Sequence, residues 1–146
     1  MSECDGCPLH PPRRRFLGRM SAAVALVFGA GRSSEKRYPI PAGDGVTIDA
    51  SAQVILVRSG PHVYALALAC PHKSAALRWR GADGRFQCPK HESTFRSDGT
   101  FIAGRARRHM DRLPIRRDAD AVIVDVDAVY KSDAQPAAWA AATVAL

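Results

Sequence analysis

From residue 46 onward, apolar side chains come in short bursts separated by turn-forming residues. The stretch 53–58 (QVILVR) is dense in β-branched side chains and is turned back by Ser59-Gly60-Pro61. The next stretch, 62–69 (HVYALALA), alternates as a half-buried strand does. Shorter strands are expected at 46–49, and at 77–80 and 85–88 on either side of the Asp83-Gly84 turn. Two more should flank Ser97-Asp98-Gly99, at 94–96 and 100–102. Strands at 109–117 and 121–130 then meet across Asp118-Ala119-Asp120. Short strands at this spacing predict an all-β antiparallel domain. The alanine-rich end, 135–146 with Trp139, predicts a short C-terminal helix packed on it.

The pattern changes before residue 42. Residues 33–41 (SSEKRYPIP) are polar and proline-punctuated, as a linker is. Upstream, Arg13-Arg14-Arg15-Phe16-Leu17-Gly18 precedes an apolar run of about 12 residues, 20–31, where a membrane-spanning helix needs about 20. That arrangement resembles a twin-arginine export signal, whose translocase carries folded proteins, or else a retained N-terminal anchor. Cys4 and Cys7 lack the following His that c-type haem attachment requires. The expected organisation is therefore a leader (1–31), a linker (32–41), one domain (42–133) and a helical tail (134–146). Such a chain would work in the periplasm or on the outer face of the cytoplasmic membrane.

Charge adds a candidate surface. The net charge is +7, with Arg105, Arg107, Arg108 and Arg112 clustered in the domain. Such a cluster suits an acidic partner or a solvated face. No aromatic stacking motif or helix-turn-helix pattern accompanies it, which argues against nucleic acid.

The chemistry concentrates in residues 70–95. Cys70-Pro71-His72 and Cys88-Pro89-Lys90-His91 are two straps, each offering one thiolate and one imidazole, the usual ligands of zinc and of iron–sulfur centres. Pro71 and Pro89 stiffen the straps by fixing φ and removing a backbone donor. The ligand order is Cys, His, Cys, His, whereas zinc fingers run Cys, Cys, His, His. A structural zinc-binding β domain is the alternative reading of the same four side chains.

Cys-x-His, fifteen residues, then Cys-x-x-His resembles the Rieske iron–sulfur family over roughly residues 40–130. The resemblance implies an antiparallel β-sandwich with a small cluster-binding subdomain and one [2Fe-2S] cluster. Cys70 and Cys88 would hold the inner iron, and His72 and His91 the outer, more exposed one. Ser93 matches a serine whose hydroxyl donates to a bridging sulfide. Two further family cysteines that form a bracing disulfide are replaced by Ala75 and Lys90. Phe95 stands in place of a hydroxyl-bearing tyrosine, Glu92 in place of a common glycine, and Gly104-Arg105 in place of Gly-Pro. These departures place the expected midpoint potential in the lower or middle part of the range for such centres, roughly −150 to +300 mV. The function implied is one-electron transfer to a redox partner protein or catalytic subunit, with no catalysis by this chain alone. The alternative is an oxidoreductase subunit in a quinol-oxidising or molybdenum-type oxidase complex, where quinone or a cytochrome would be the neighbour. No second metal site of the two-histidine, one-carboxylate kind is evident in the sequence.

Overall fold

The computed structural model describes residues 34–146, so the arginine string, the apolar run and Cys4 and Cys7 lie outside the described residues. Among the described residues, eleven strands form three antiparallel sheets. The first sheet pairs β1 (Glu35–Pro39), β10 (Ala121–Asp125) and β9 (Ile115–Asp118). The second runs β11 (Val144–Ala145), β4 (His62–Ala67), β3 (Val54–Ser59), β2 (Gly45–Asp49). The third is a small meander of β5 (Arg78–Arg80), β6 (Arg85–Gln87), β7 (Thr94–Arg96) and β8 (Phe101–Ala103). A short helix, α1 (Pro136–Ala141), precedes β11.

The continuous apolar run of β3 explains this layering. A strand with one wet face alternates, whereas Val54, Ile55, Leu56 and Val57 are all buried. Val54 and Leu56 join one core with Val63, Ala65, Leu113, Val122 and Val124. Ile55 and Val57 join the other with Leu66, Phe86, Phe95, Met110 and both strap cysteines. The middle sheet therefore lies between two cores, and the one containing Phe86 and Phe95 carries the straps.

Four expectations about elements need correction. Residues 35–39, read as linker, form β1 and pair along their whole length with β10. Their side chains alternate between exposed and half-buried, a period-2 pattern that the flanking prolines obscured. The strand expected over 109–117 begins only at Ile115, because Arg112 makes single bridges to Leu66 and Tyr130 instead of a ladder. The strand expected over 121–130 ends at Asp125. The expected helix over 135–146 is limited to Pro136–Ala141, after which Val144 pairs with Val63 of β4.

The first two sheets are tied by a polar knot. Tyr38 on β1 donates its hydroxyl to Asp49 Oδ2 at the end of β2 (2.9 Å), and Lys36 Nζ reaches the same oxygen at 3.3 Å. Ser51 Oγ and the Ala52 N–H satisfy Oδ1 at 2.6 and 3.1 Å. The Ser51 hydroxyl first, then the Ala52 N–H and Tyr38, hold the Asp49 carboxyl well below the usual range. Burial first, then the Asp49 hydrogen bond, pushes the Tyr38 phenol up to about 12. Asp49 is depressed in the fold, so its contribution is complete above its unfolded pKa of about 3.9 and is lost as pH falls below it. Tyr38 is raised, so its contribution is complete below about pH 10 and is lost as pH climbs toward the folded value. Melting temperature against pH should fall at both ends. Tyr38→Phe should flatten the alkaline fall, and an unchanged alkaline limb in that variant would refute this assignment.

Candidate metal centre

The two straps fold by the same hydrogen-bond scheme. In the first, Cys70 N–H donates to Ala75 O and Ser74 N–H donates to Cys70 O, both at 2.8 Å. In the second, Cys88 N–H donates to Ser93 O at 2.8 Å and Glu92 N–H to Cys88 O at 3.1 Å. The fifth residue of each loop turns left-handed, Ser74 at φ 50° and Glu92 at φ 58°. A non-glycine residue there is strained, and closing the loop by two hydrogen bonds offsets that cost. The shared Cys-Pro start and equal spacing to Ser74 and Glu92 were the sequence signal for this twinned geometry.

The loops bring all four proposed ligands to one end of the domain. Cys70 and Cys88 are buried, free thiols at the edge of the core. Burial pushes the Cys70 thiol up and the neighbouring Cys88 adds to this, while the His72 and Lys73 backbone N–H groups aimed at its sulfur oppose it. The imidazoles of His72 and His91 are half-exposed and meet edge to face, with centroids 4.5 Å apart. His91 Nδ1 lies 3.7 Å from Cys88 Sγ, and His72 Nδ1 is buried with no hydrogen-bond partner. Partial desolvation, then the charge of His72, Lys73, Arg105 and Lys90, lowers the proton affinity of His91. A neutral imidazole, the form that ligates metals, is thereby favoured. The donors are grouped as a thiol pair inside and an imidazole pair outside. Among the described residues, no three Cys, His, Asp or Glu side chains are placed around one single-ion position.

Ser93 is completely buried behind the second strap, where its Oγ accepts the Ala106 N–H at 2.9 Å. That bond occupies a lone pair and leaves the hydroxyl proton available to a further acceptor. Phe95 is completely buried beside Phe101 and offers no hydroxyl. The segment carrying Ala106 crosses the second strap at Gly104, whose φ of +110° and close approach to Ser93 exclude a side chain. Sequence reasoning marked Gly104 only as a departure from a Gly-Pro pair and missed its contact with Ser93. The Ala106 N–H had no sequence signal, since any residue except proline supplies one.

The arginine cluster does not stay together. Arg105 and Arg107 are exposed beside His72. Arg108 instead pairs with Asp111 and lies 3.7 Å from Asp133. Arg112 is buried, with its guanidinium 3.8 Å from the Trp139 ring and 4.5 Å from that of Tyr64. It donates to the Trp139 and Asp98 carbonyls at 3.1 and 2.9 Å. Two of the four arginines thus hold the fold, and two face solvent at the strap end. His109 is likewise structural, since its Nδ1 accepts the Phe101 N–H at 3.0 Å and its ring stacks on Trp139.

The family model described as Rieske [2Fe-2S] domain matches residues 35–115. Among solved structures, the cyanobacterial plasma membrane Rieske protein PetC3 from Synechocystis PCC 6803 is 23% identical, with a TM-score of 0.46, over 56% of this chain and 85% of that one. The ferredoxin of carbazole 1,9a-dioxygenase from Nocardioides aromaticivorans IC177 is 21% identical, with a TM-score of 0.40, over 59% and 86%. No curated protein matches the chain.

Proposed function

Because the chain belongs to the Rieske [2Fe-2S] domain family, we propose that it is a one-electron carrier whose cluster is held by Cys70, His72, Cys88 and His91. The family carries a [2Fe-2S] cluster and transfers electrons through it. The residues present fit that group: a buried thiol pair, an outer imidazole pair, and a buried His72 Nδ1 with nothing to bind. The division into an inner and an outer pair is the observation that carries the assignment. Two metal atoms, one held by thiolates and one by imidazoles, need such a division. When bound, the cluster takes up and releases one electron at a time.

The chain's own residues set the conditions. The strap thiols must lose protons on loading, and N–H groups aimed at the Cys70 sulfur favour the thiolate. The half-exposed edges of His72 and His91 are the route by which an electron would leave the strap end of the domain. Ser93, held by Ala106, keeps a hydroxyl proton to donate toward the cluster, which favours the more negative, reduced state. Removing one hydrogen bond to a charged acceptor costs about 1.5–3 kcal/mol. At about 59 mV per tenfold change for one electron, Ser93→Ala should lower the midpoint potential by about 65–130 mV with the cluster retained. A potential unchanged in a fully loaded variant would remove Ser93 from this role.

The direct test of the reading is a redox titration of the full chain followed by electron paramagnetic resonance. A rhombic signal appearing on one-electron reduction, with two irons per chain, is expected. An iron-free protein holding zinc would overturn it.

We also propose that the domain works outside the cytoplasm, as a small subunit or partner of a larger redox assembly. The support is the arginine string 13–15 with the apolar run 20–31. No helix among the described residues is long and apolar enough to cross a membrane. Replacing Arg13, Arg14 and Arg15 together by Lys should leave the protein in the cytoplasmic fraction, and unchanged export would exclude this route.

A further inference from the structure

Charge is unevenly distributed over the domain. Residues 70–107, which hold both straps and the small sheet, carry eight Lys and Arg against three Asp and Glu, a net of +5. The rest of the described chain carries eight against nine, a net of −1. Of the eight cations, Lys73, Arg78, Lys90, Arg96, Arg105 and Arg107 are exposed and, among the described residues, make no ion pair. Lys73 directly follows His72 in the first strap, and Lys90 directly precedes His91 in the second. Arg105 and Arg107 line a cleft of about 640 Å³ that also contains His72 and Gly104. Arg78 lines a second cleft, of about 240 Å³, with Cys88 and Glu92. His72 of the first strap thus lines one cleft, and Cys88 and Pro89 of the second strap line the other.

We propose that this strap end is an electrostatic docking face for an acidic redox-partner protein, whose carboxylates enter the larger cleft and pair with Arg105 and Arg107. The proposal rests on the electron-transfer reading above and adds to it the chemistry of the partner. Concave clefts lined by guanidinium groups suit protruding Asp and Glu side chains, which arginine binds through paired hydrogen bonds. A membrane surface is a poorer fit, because among the described residues Ile102 is the one large apolar side chain exposed on the small sheet. Single-stranded nucleic acid needs exposed aromatic platforms, whereas Phe86 and Phe95 are completely buried and Trp79 and Phe101 are partly buried against the core. A field of one sign around the electron's exit also speeds encounter with an acidic partner by about 10–10³-fold at low salt.

Small oxidants of opposite charge probe the face whatever the partner's identity. Chemically reduced full-length protein is mixed with hexacyanoferrate(III), which takes one electron and becomes hexacyanoferrate(II), or with the cationic tris(phenanthroline)cobalt(III). The anionic oxidant should react faster at low ionic strength and slow as salt rises, with the opposite trend for the cationic one. R105E/R107E should lower the hexacyanoferrate rate by about tenfold or more. R105Q/R107Q should give a smaller loss in the same direction. R116E/R117E, an equal charge change on exposed β9 positions of another sheet, should stay within about twofold. Poly-L-glutamate should compete with hexacyanoferrate on the wild-type protein and not on R105E/R107E. Rates insensitive to the strap-end substitutions would overturn the docking face and leave the electron-transfer reading intact. Binding to phosphatidylglycerol vesicles through the same arginines, with no competition by polyglutamate, would overturn it in favour of a membrane surface. Failure of both oxidants to take an electron would overturn the electron-transfer reading, and this proposal with it.

Discussion

Alanine in place of Cys70, His72, Cys88 or His91 is expected to yield protein without a [2Fe-2S] cluster. Iron should fall from two per chain to none, and the reduced-state resonance should disappear. The four substitutions differ in what else they disturb, which makes the set informative. Cys70 and Cys88 are core residues, exposed by 1% and 0%. Removing a buried sulfur should cost the iron-free fold about 1 kcal/mol through a small cavity. His72 and His91 are half-exposed, so their loss should leave the iron-free fold nearly as stable as before. If these residues are ligands, all four variants lose a much larger stabilisation that exists only when iron is present, because metal binding is linked to folding. Denaturation of loaded and chelator-stripped protein separates the two effects. A variant at any of the four positions that keeps both irons and an unaltered resonance would remove that residue from the ligand set.

The second large effect is expected at a residue with no side chain. An alanine Cβ at Gly104 would lie 2.4 Å from Ser93 Cα, 2.8 Å from Ser93 N and 3.0 Å from Glu92 O. All three neighbours are backbone of the second strap, so no rotamer change relieves the clash. The φ of +110° adds strain for any L side chain. Together, overpacking and backbone strain should cost about 2–5 kcal/mol, a large share of a typical domain's stability. The strap would have to shift, taking Ser93 and His91 with it, so cluster retention should fall as well. Gly84 is the matched control. It also has positive φ, +59°, but its Cβ would meet nothing within 4 Å, so Gly84→Ala should cost only about 1 kcal/mol. Equal destabilisation by the two substitutions, measured by chemical denaturation, would show that the close approach at Gly104 carries no energetic weight.

These two experiments probe parts of the site that were unequally legible. Thiolate and imidazole are rare enough, and their spacing regular enough, that the four strap side chains stand out from one chain without a structure. The strands were visible for a similar reason, since β-branched runs cut by Asp-Gly and Ser-Gly-Pro leave few other foldings. β1 was missed because prolines at its end read as linker, while its pairing with β10 depends on residues more than 80 positions away. The arginine cluster was misread as one face because sequence distance says nothing about burial. Arg108 pairs with Asp111 three residues on, but Asp133 and, for Arg112, Tyr64 and Trp139 come from segments far away in the chain.

The sequence by itself determined an all-β chain with two Cys/His straps and the metal chemistry they can support. Ligand identity is a local property, carried by side chains within a few residues of one another. Only the tertiary structure decided that the strap thiols lie inside and the imidazoles outside, and that Gly104 and Ala106 close over Ser93. It also left Arg105 and Arg107 exposed beside His72 while burying Arg112. Those features arise where distant segments meet, through backbone contacts and burial that no residue pattern encodes locally.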